Sequence, residues 1–470
     1  MRQHFVRFIA LLALLVLALP NAYATCGGGG GGGTGGMMPP GASQAQPQSY
    51  VVPWKVLQPD AGPPTTPLTL YWFPANKNDV KGSDLLTSRA LTLASAQCVS
   101  MFVVVPEHTE AVKKFGVENE RPTAILTAPD GTVIARVVQA NAALNLRNVE
   151  EMVRNELKTR ESALDKMLDD AKAKEKDDKD GAIAMYQQVW DQRCLAPKKG
   201  RGAQKALARL GVTVTDAQLR TVDPIDTPEM NRRMTNAMNL AFRAELAEDY
   251  AKARKLYAAA SKIDPADPVP YRFLGELYRH HTGEWDLARA TFEKLLTIQP
   301  DPLSRAVALH GLGKMTIHMG DSAKGLALFE QSIQTYPLAL TYRNLAVYWN
   351  SERVRDKAEG YVQKALALDP DDAYNLIFAA TYMVDSGRAQ EALKIAKEHE
   401  NLLSASYNLA AIYALLGQKG KAMELLNRHF YKYERYDDVR AMEMWEARVD
   451  YVFASIKDDA DFVKLTAMAR

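Results

Sequence analysis

The sequence predicts two folded parts in series, a small α/β module and then an all-α solenoid of helix hairpins. Three observations predict this. Strand-like and helix-like stretches alternate over 51–160. Leucines, small residues and prolines recur near every 34 residues from about 228 onward. The 470 residues also exceed what one hydrophobic core usually holds. The plan along the chain is a leader at 1–24, a linker at 25–50, the α/β module at 51–160, a helical connector at 161–223, the solenoid at 224–436 and a helical cap at 437–470.

The first segment reads as an export signal. Arg2 and Arg7 precede the apolar run Ile9–Leu19, and Ala22-Tyr23-Ala24 supplies an A-x-A cleavage site. That run is about half of the ~20 residues that a bilayer span needs, which disfavours a retained membrane helix. The expected location is therefore the bacterial periplasm or envelope. Cys26 is the candidate lipid anchor, and only through it would the protein meet a membrane. Tyr23-Ala24-Thr25 fits a lipidation signal poorly, because Thr is bulky where Gly or Ala is usual. Gly27–Gly33, Gly35 and Gly36, then a Pro-, Gln- and Ser-rich run to Ser49, cannot bury enough apolar surface to offset ordering entropy. No Gly-Lys-Ser/Thr follows, so a phosphate-cradling loop is rejected.

Within the α/β module, Leu68–Phe73 is an apolar and aromatic run stopped by Pro74, the signature of a strand. Asp84–Gln97 has helical spacing, Val99–Val105 is a second strand, and Glu110–Phe115 is a short helix closed by Gly116. Thr123–Thr127 and Thr132–Val138 flank the hairpin turn Pro129-Asp130-Gly131, and Asn148–Lys158 is an amphipathic helix. This order specifies a small α/β sandwich.

The module resembles the thioredoxin family. Tyr71-Trp72-Phe73-Pro74 is similar to the strand leading into that family's active-site loop. Lys114-Phe115-Gly116-Val117 and Arg121-Pro122-Thr123 are similar to its helix end and cis-proline. Carried along from Trp72, the resemblance puts the two active-site thiols on Asn76 and Asp79. Dithiol exchange needs a thiolate attacker and a second sulfur to resolve the mixed disulfide. The module is expected to be redox-inactive there. Cys98, beside the second strand, is the remaining sulfur; it reads either as a buried inert thiol or as a reactive or bridging one. With Cys26 and Cys194 the chain has three cysteines, enough for one bridge whose members spacing does not identify.

The solenoid half shows leucine at 240, 274, 312, 345, 376 and 409 and proline closing units at 265, 300, 337 and 370. Small residues Ala253, Ala288, Gly325, Ala358, Ala392 and Ala422 open second helices. Tyr257, Phe292 and Phe329 follow the first three by four residues. Ala241, Gly275, Gly313 and Ala346 follow the first, second, third and fourth leucines. Small residues let two helices approach and the aromatics fill the space between units. The pattern resembles the tetratricopeptide repeat, with five clear units and a degenerate sixth. In the connector, Ala182–Trp190 and Ala203–Leu210 read as helices, with Pro197–Gly202 and Thr221–Pro228 as linkers.

The resemblance implies an extended face lined by first helices. Asn239, Asn344, Asn375 and Asn408 each precede a repeat leucine, and asparagine there binds ligand backbone in peptide-binding members. These four are candidate peptide contacts, with Arg343, Arg272 and Arg305 as candidate charges for an acidic ligand. The alternative is that each amide serves its own scaffold.

The chain has 58 basic and 56 acidic residues, and removing Met1–Ala24 leaves it formally neutral. A neutral chain lacks the general electrostatic footprint of a nucleic-acid binder. The eight histidines are scattered. His280-His281 are adjacent rather than four apart, and His310 and His318 have no carboxylate motif between them, so no metal site is expected. No nucleophile elbow, Walker loop or dinucleotide fingerprint is present, and no cofactor is expected. The expected function is a non-catalytic adaptor binding a protein or peptide in the cell envelope, with the α/β module as a second docking surface. The alternative is a thiol-dependent redox or folding factor using Cys98.

Overall fold

The computed structural model describes residues 52–58, 64, 66–76, 79–80, 83–105, 107–139, 143–215, 229–370, 372–434 and 436–467. The expected leader, the linker, Cys26 and the segment Thr221–Pro228 lie outside the described residues. The described chain divides into two compact units between Leu277 and Tyr278.

The N-terminal unit begins with a five-stranded sheet: β1 (Lys55–Val56), β2 (Leu68–Phe73), β3 (Val99–Val103), β4 (Thr123–Thr127) and β5 (Val133–Val138). Their order is β1-β3-β2-β4-β5. β3 runs parallel to β1 and β2, while β2–β4 and β4–β5 are antiparallel. β2 is central and every one of its residues is buried. Its side chains alternate between faces. Leu68, Leu70 and Trp72 join Leu91, Val149 and Val153 on one side; Tyr71 and Phe73 join Val112 and Phe115 on the other.

Two flanking helices match the sequence closely. α1 (Arg89–Ala96) starts later than expected, because the Ser88 hydroxyl accepts from the Leu91 N–H and caps it there; Asp84–Leu86 is a separate 3-10 turn. α2 (Thr109–Phe115) ends at Gly116, whose φ of 63° is the left-handed region that favours glycine. The Arg121–Pro122 bond is cis. β1, only two residues long, was not anticipated.

α3 (Leu146–Lys174) differs most from expectation. It runs through the boundary placed at 160, so module and connector share one helix. No Gly or Pro interrupts it, and ion pairs Arg147–Glu151, Arg160–Glu156 and Lys166–Asp170 lie along it at four-residue spacing. Its first half buries Val149, Val153 and Leu157 against the sheet. Its second half buries Leu164 and Ala171 against α4 (Lys179–Asp191) and α5 (Pro197–Arg209). Pro197, expected in a linker, instead opens α5 at a position where its missing N–H costs nothing.

Helix hairpins follow. α6 (Glu229–Leu246), α7 (Tyr250–Ala260) and α8 (Pro268–Glu276) complete the N-terminal unit. The C-terminal unit holds α9 (Trp285–Thr297), α10 (Pro302–His318), α11 (Ser322–Thr335), α12 (Ala339–Ser351), α13 (Arg355–Leu368), α14 (Ala373–Asp385), α15 (Ala389–Glu398), α16 (Ser406–Leu415) and α17 (Lys419–Arg428). It ends in α18 (Asp437–Val449) and α19 (Ala460–Leu465). Ala253, Ala288, Ala358, Ala392 and Ala422 are all fully buried, as are Tyr257 and Phe292. Leu240 breaks the expected pattern and is 38% exposed, because Met234, Met238, Ala241 and Phe242 carry the inward face of α6. Among the described residues, no helix is long and apolar enough to cross a membrane.

Candidate protein-interaction face

The loop after β2 shows how the positions of the expected thiols are used. Asp79 Oδ2 accepts from the backbone N–H of Ala75 at 2.8 Å and of Asn76 at 3.1 Å, and Oδ1 accepts from the Asn76 amide at 2.8 Å. A carboxylate that ties its own turn is a local scaffold.

Cys98 is disulfide-bonded to Cys194, with Cα atoms 5.6 Å apart. The bridge joins the start of β3 to the loop between α4 and α5. Beside it, Gln97 Nε2 donates to the Leu195 carbonyl at 2.8 Å, and Leu195 is buried in the sheet core. The Arg243 guanidinium donates to the Ala96 carbonyl at 2.7 Å and lies 3.9 Å from Cys98 Sγ. The bridging option for Cys98 is thus the one realised.

The four asparagines expected as candidate ligand contacts are bonded to the scaffold. Asn239 Nδ2 donates to Ser95 Oγ at 2.8 Å, fastening α6 to α1. Asn344 bonds the Leu340 carbonyl one turn back, and Asn408 bonds the Tyr374 hydroxyl of the preceding unit. Asn375 receives Arg343 and donates to the carbonyls of Ala365 and Asp369. All four are buried. A buried amide costs free energy unless bonded, and here the scaffold meets that need. Arg343 is likewise inward, with its guanidinium 4.6 Å from the Tyr374 ring centroid, and Arg272 is buried against Phe273. Only Arg305 is exposed.

The first helices of the C-terminal unit instead meet the chain's own C-terminal segment, expected merely to cap the last hairpin. Met442 Sδ lies 3.1 Å from His318 Nδ1 at the end of α10. Tyr451 OH donates to Asp385 Oδ2 at 3.1 Å at the end of α14. Tyr407 OH of α16 donates to Asp450 Oδ2 at 3.2 Å, and its ring stands edge-on to Phe453 at 5.3 Å. Glu443 Oε2 is 2.7 Å from His429 Nε2, with both side chains buried. α14 and α16 are accordingly apolar and buried almost all round. The sequence signal was the set Glu443, Glu446 and Asp450 at i, i+3 and i+7, which reads as a solvated face until the partner helices are seen.

Electrostatics follow from this burial. Burial, then Lys314 and Arg279, hold His318 well below the usual histidine range, so it is neutral beside Met442. Burial pushes Asp450 up to about 6, although hydrogen bonds from Val452 and Tyr407 oppose the rise. A carboxyl raised in the folded state stabilises at pH below its unfolded value near 4 and loses that contribution as pH climbs through about 6. Two pH units correspond to about 3 kcal/mol, and the partial exposure of the residue reduces this to about 1–2 kcal/mol. Asp450→Asn keeps an acceptor for Val452 and Tyr407. Against the native chain it should gain about 1–2 kcal/mol between pH 4 and pH 7.5. Urea unfolding at both pH values checks this; a stability difference independent of pH overturns it.

His310, His280 and His281 make ring and hydrogen-bond contacts within the fold. His310 Nδ1 is 3.0 Å from Thr341 Oγ1, and its ring stacks on Phe329. The adjacent rings of His280 and His281 touch edge to face at 5.0 Å in the π-helical turn Leu277–Thr282. Among the described residues, no group of three His, Cys, Asp or Glu is placed to hold a metal ion.

Residues 274–302 match the tetratricopeptide repeat family. A 98-residue stretch is 30% identical to Protein CTR9 homolog of Arabidopsis thaliana, covering 20% of this chain and 9% of that protein, so the chain spans about a tenth of this curated relative. Among solved structures, the chain is similar to YrrB, described as a TPR protein with an unusual peptide-binding site. The identity is 21%, the TM-score is 0.26, and 37% of this chain and 90% of that one are covered. It is also similar to the APC/C hetero-tetramer Cut9-Hcn1 at 12% identity and a TM-score of 0.36, covering 61% and 51% of the two chains. A tetratricopeptide repeat protein from Parabacteroides merdae gives 12%, 0.33, 61% and 99% in the same terms. The matched stretch, from the end of α8 through α9, lies within a series of helix hairpins.

Proposed function

We propose that the protein is an exported, non-catalytic adaptor that takes a protein or peptide partner on the first-helix face of its repeats. The observation that carries this reading is the repeat itself: stacked hairpins present successive first helices side by side, a geometry suited to extended contact with another chain. The reading includes a thioredoxin-like sheet module, supported by its strand order and by the position of Pro122 before β4. Its usual redox loop is inactive in this reading, supported by Asp79 acting as a turn ligand. The module serves as a second docking surface; the edge strand β5 leaves Val133 and Val138 exposed, which supports that use. A disulfide at Cys98–Cys194 supports the periplasm or envelope, because such bonds persist in oxidising compartments. Cys26 stays the candidate lipid anchor.

The test uses the full chain with a photo-crosslinking residue at Lys314, one turn before His318 on α10, or at exposed Glu293 on second helix α9. Crosslinking in envelope extract should give a discrete protein adduct from position 314 and none from 293. Equal products from both positions, or none from 314, would discredit the first-helix face.

A further inference from the structure

The C-terminal segment 436–453 touches the first helix, or the turn ending it, in successive hairpins. Tyr436 lies against Gly283, where an added Cβ would stand 3.0 Å from the phenol ring. Met442 meets His318 on α10; Tyr451 meets Asn350 on α12 and Asp385 on α14, and Arg355 Nη1 donates to its hydroxyl at 3.4 Å. Asp450 and Phe453 meet Tyr407 on α16. One short stretch thus spans five hairpins in the manner of a bound peptide.

Its chemistry is unlike that of a structural cap. The buried stripe of α18 contains Glu443, Met444, Glu446 and Ala447, whereas Trp445 and Val449 face outward and are 38% and 44% exposed. A helix that buries two carboxylates and exposes a tryptophan is the reverse of the usual arrangement. Among the described residues, His429 Nδ1 and Arg428 Nη2 are buried without a hydrogen-bond partner. A buried polar group without a partner costs free energy until it is bonded.

We propose that 436–453 is an internal ligand seated on the protein's own partner face, and that the partner is an acidic amphipathic helix that displaces it. The partner helix presents carboxylates at i, i+3 and i+7 with apolar residues between them, in place of Glu443, Glu446 and Asp450. This rests on the reading above that first helices take the partner.

The probe is a fluorescent synthetic peptide with the sequence of 436–453, added to the full chain. Two variants loosen the segment independently, Tyr451→Ala at its exposed end and Met442→Ala at its middle, so that misfolding of one leaves the other. Both should show faster amide exchange over 436–453 and bind the peptide at least tenfold more tightly than the native chain. A peptide carrying Gln at the three acidic positions should lose at least tenfold in affinity. Unchanged exchange in both variants, unchanged peptide affinity despite faster exchange, or equal binding of the Gln peptide each overturns the proposal. Crosslinking from position 314 separates this from the adaptor reading. Equal adduct from native and loosened chains sinks the internal ligand alone, while tight peptide binding without any adduct sinks the adaptor alone.

Discussion

Removing the Cys98–Cys194 bridge is expected to lower the stability of the N-terminal unit by about 4–5 kcal/mol, the largest effect of any change considered. The bond closes a loop with a sequence separation of 96 residues. In the chain-entropy account, constraining a loop of that length removes enough freedom from the unfolded ensemble to give this figure. Polar contacts also cross beside the bridge: Gln97 to the Leu195 carbonyl, Arg243 to the Ala96 carbonyl, and Asn239 to Ser95. Each hydrogen bond contributes only about 1 kcal/mol, so together they do not replace the crosslink. The measurement is urea unfolding of the native chain with and without reductant, beside the double variant Cys98→Ser, Cys194→Ser. The first transition should move to lower urea in both cases and by the same amount. A midpoint indifferent to reductant and to the double substitution would show that the bridge carries no stability.

That junction also marks where the sequence ceased to be legible. β2 was readable because Leu68–Phe73 is apolar on both faces, as a central strand must be, and Pro74 ends it. The bridge was not, because three cysteines allow three pairings and nothing local distinguishes them. α3 was misjudged for a related reason. Its buried stripe serves the sheet in one half and α4 and α5 in the other, so a reader following one stripe loses it near Leu157 although the backbone continues to Lys174.

For the candidate face, small and aromatic repeat residues were legible because each fills a local gap between helices a few turns apart. The asparagines were ambiguous by nature. The same residue one place before a leucine can point to ligand or to scaffold, and the choice is made by what lies opposite: Ser95 for Asn239, Tyr374 for Asn408. The fold-back of α18 is set by contacts such as Met442 with His318 and Tyr451 with Arg355, 124 and 96 residues apart. Such pairs leave no periodic trace. Its acidic stripe resembles a solvent-facing surface because carboxylates are rarely buried, and the repeat period stops before it.

Two glycine substitutions of opposite sign test the repeat packing most severely. At Gly325 in α11 an added Cβ would lie 2.3 Å from Ile317 Cγ1 and 2.8 Å from the Gly313 carbonyl, so α10 and α11 meet through two glycines. Real Cβ atoms do not approach so closely, so helices or side chains must shift, and overpacking of this kind costs about 1–3 kcal/mol. Gly325→Ala should fall in that range even after a helix-propensity gain of about 1 kcal/mol, and Gly325→Val should cost more because branching adds volume where none is free. Gly360 lies mid-helix in α13, exposed, with nothing within 4 Å of an added Cβ. There alanine only restricts the unfolded chain and improves helix propensity, so Gly360→Ala should stabilise by about 0.5–1 kcal/mol. Both variants keep the segment 436–453 and its contacts, so chemical unfolding reports on hairpin packing alone. If the two alanines shift the C-terminal unit's midpoint in the same direction, α10 and α11 do not interlock through their glycines, and the small residues would be a feature of sequence without a packing role.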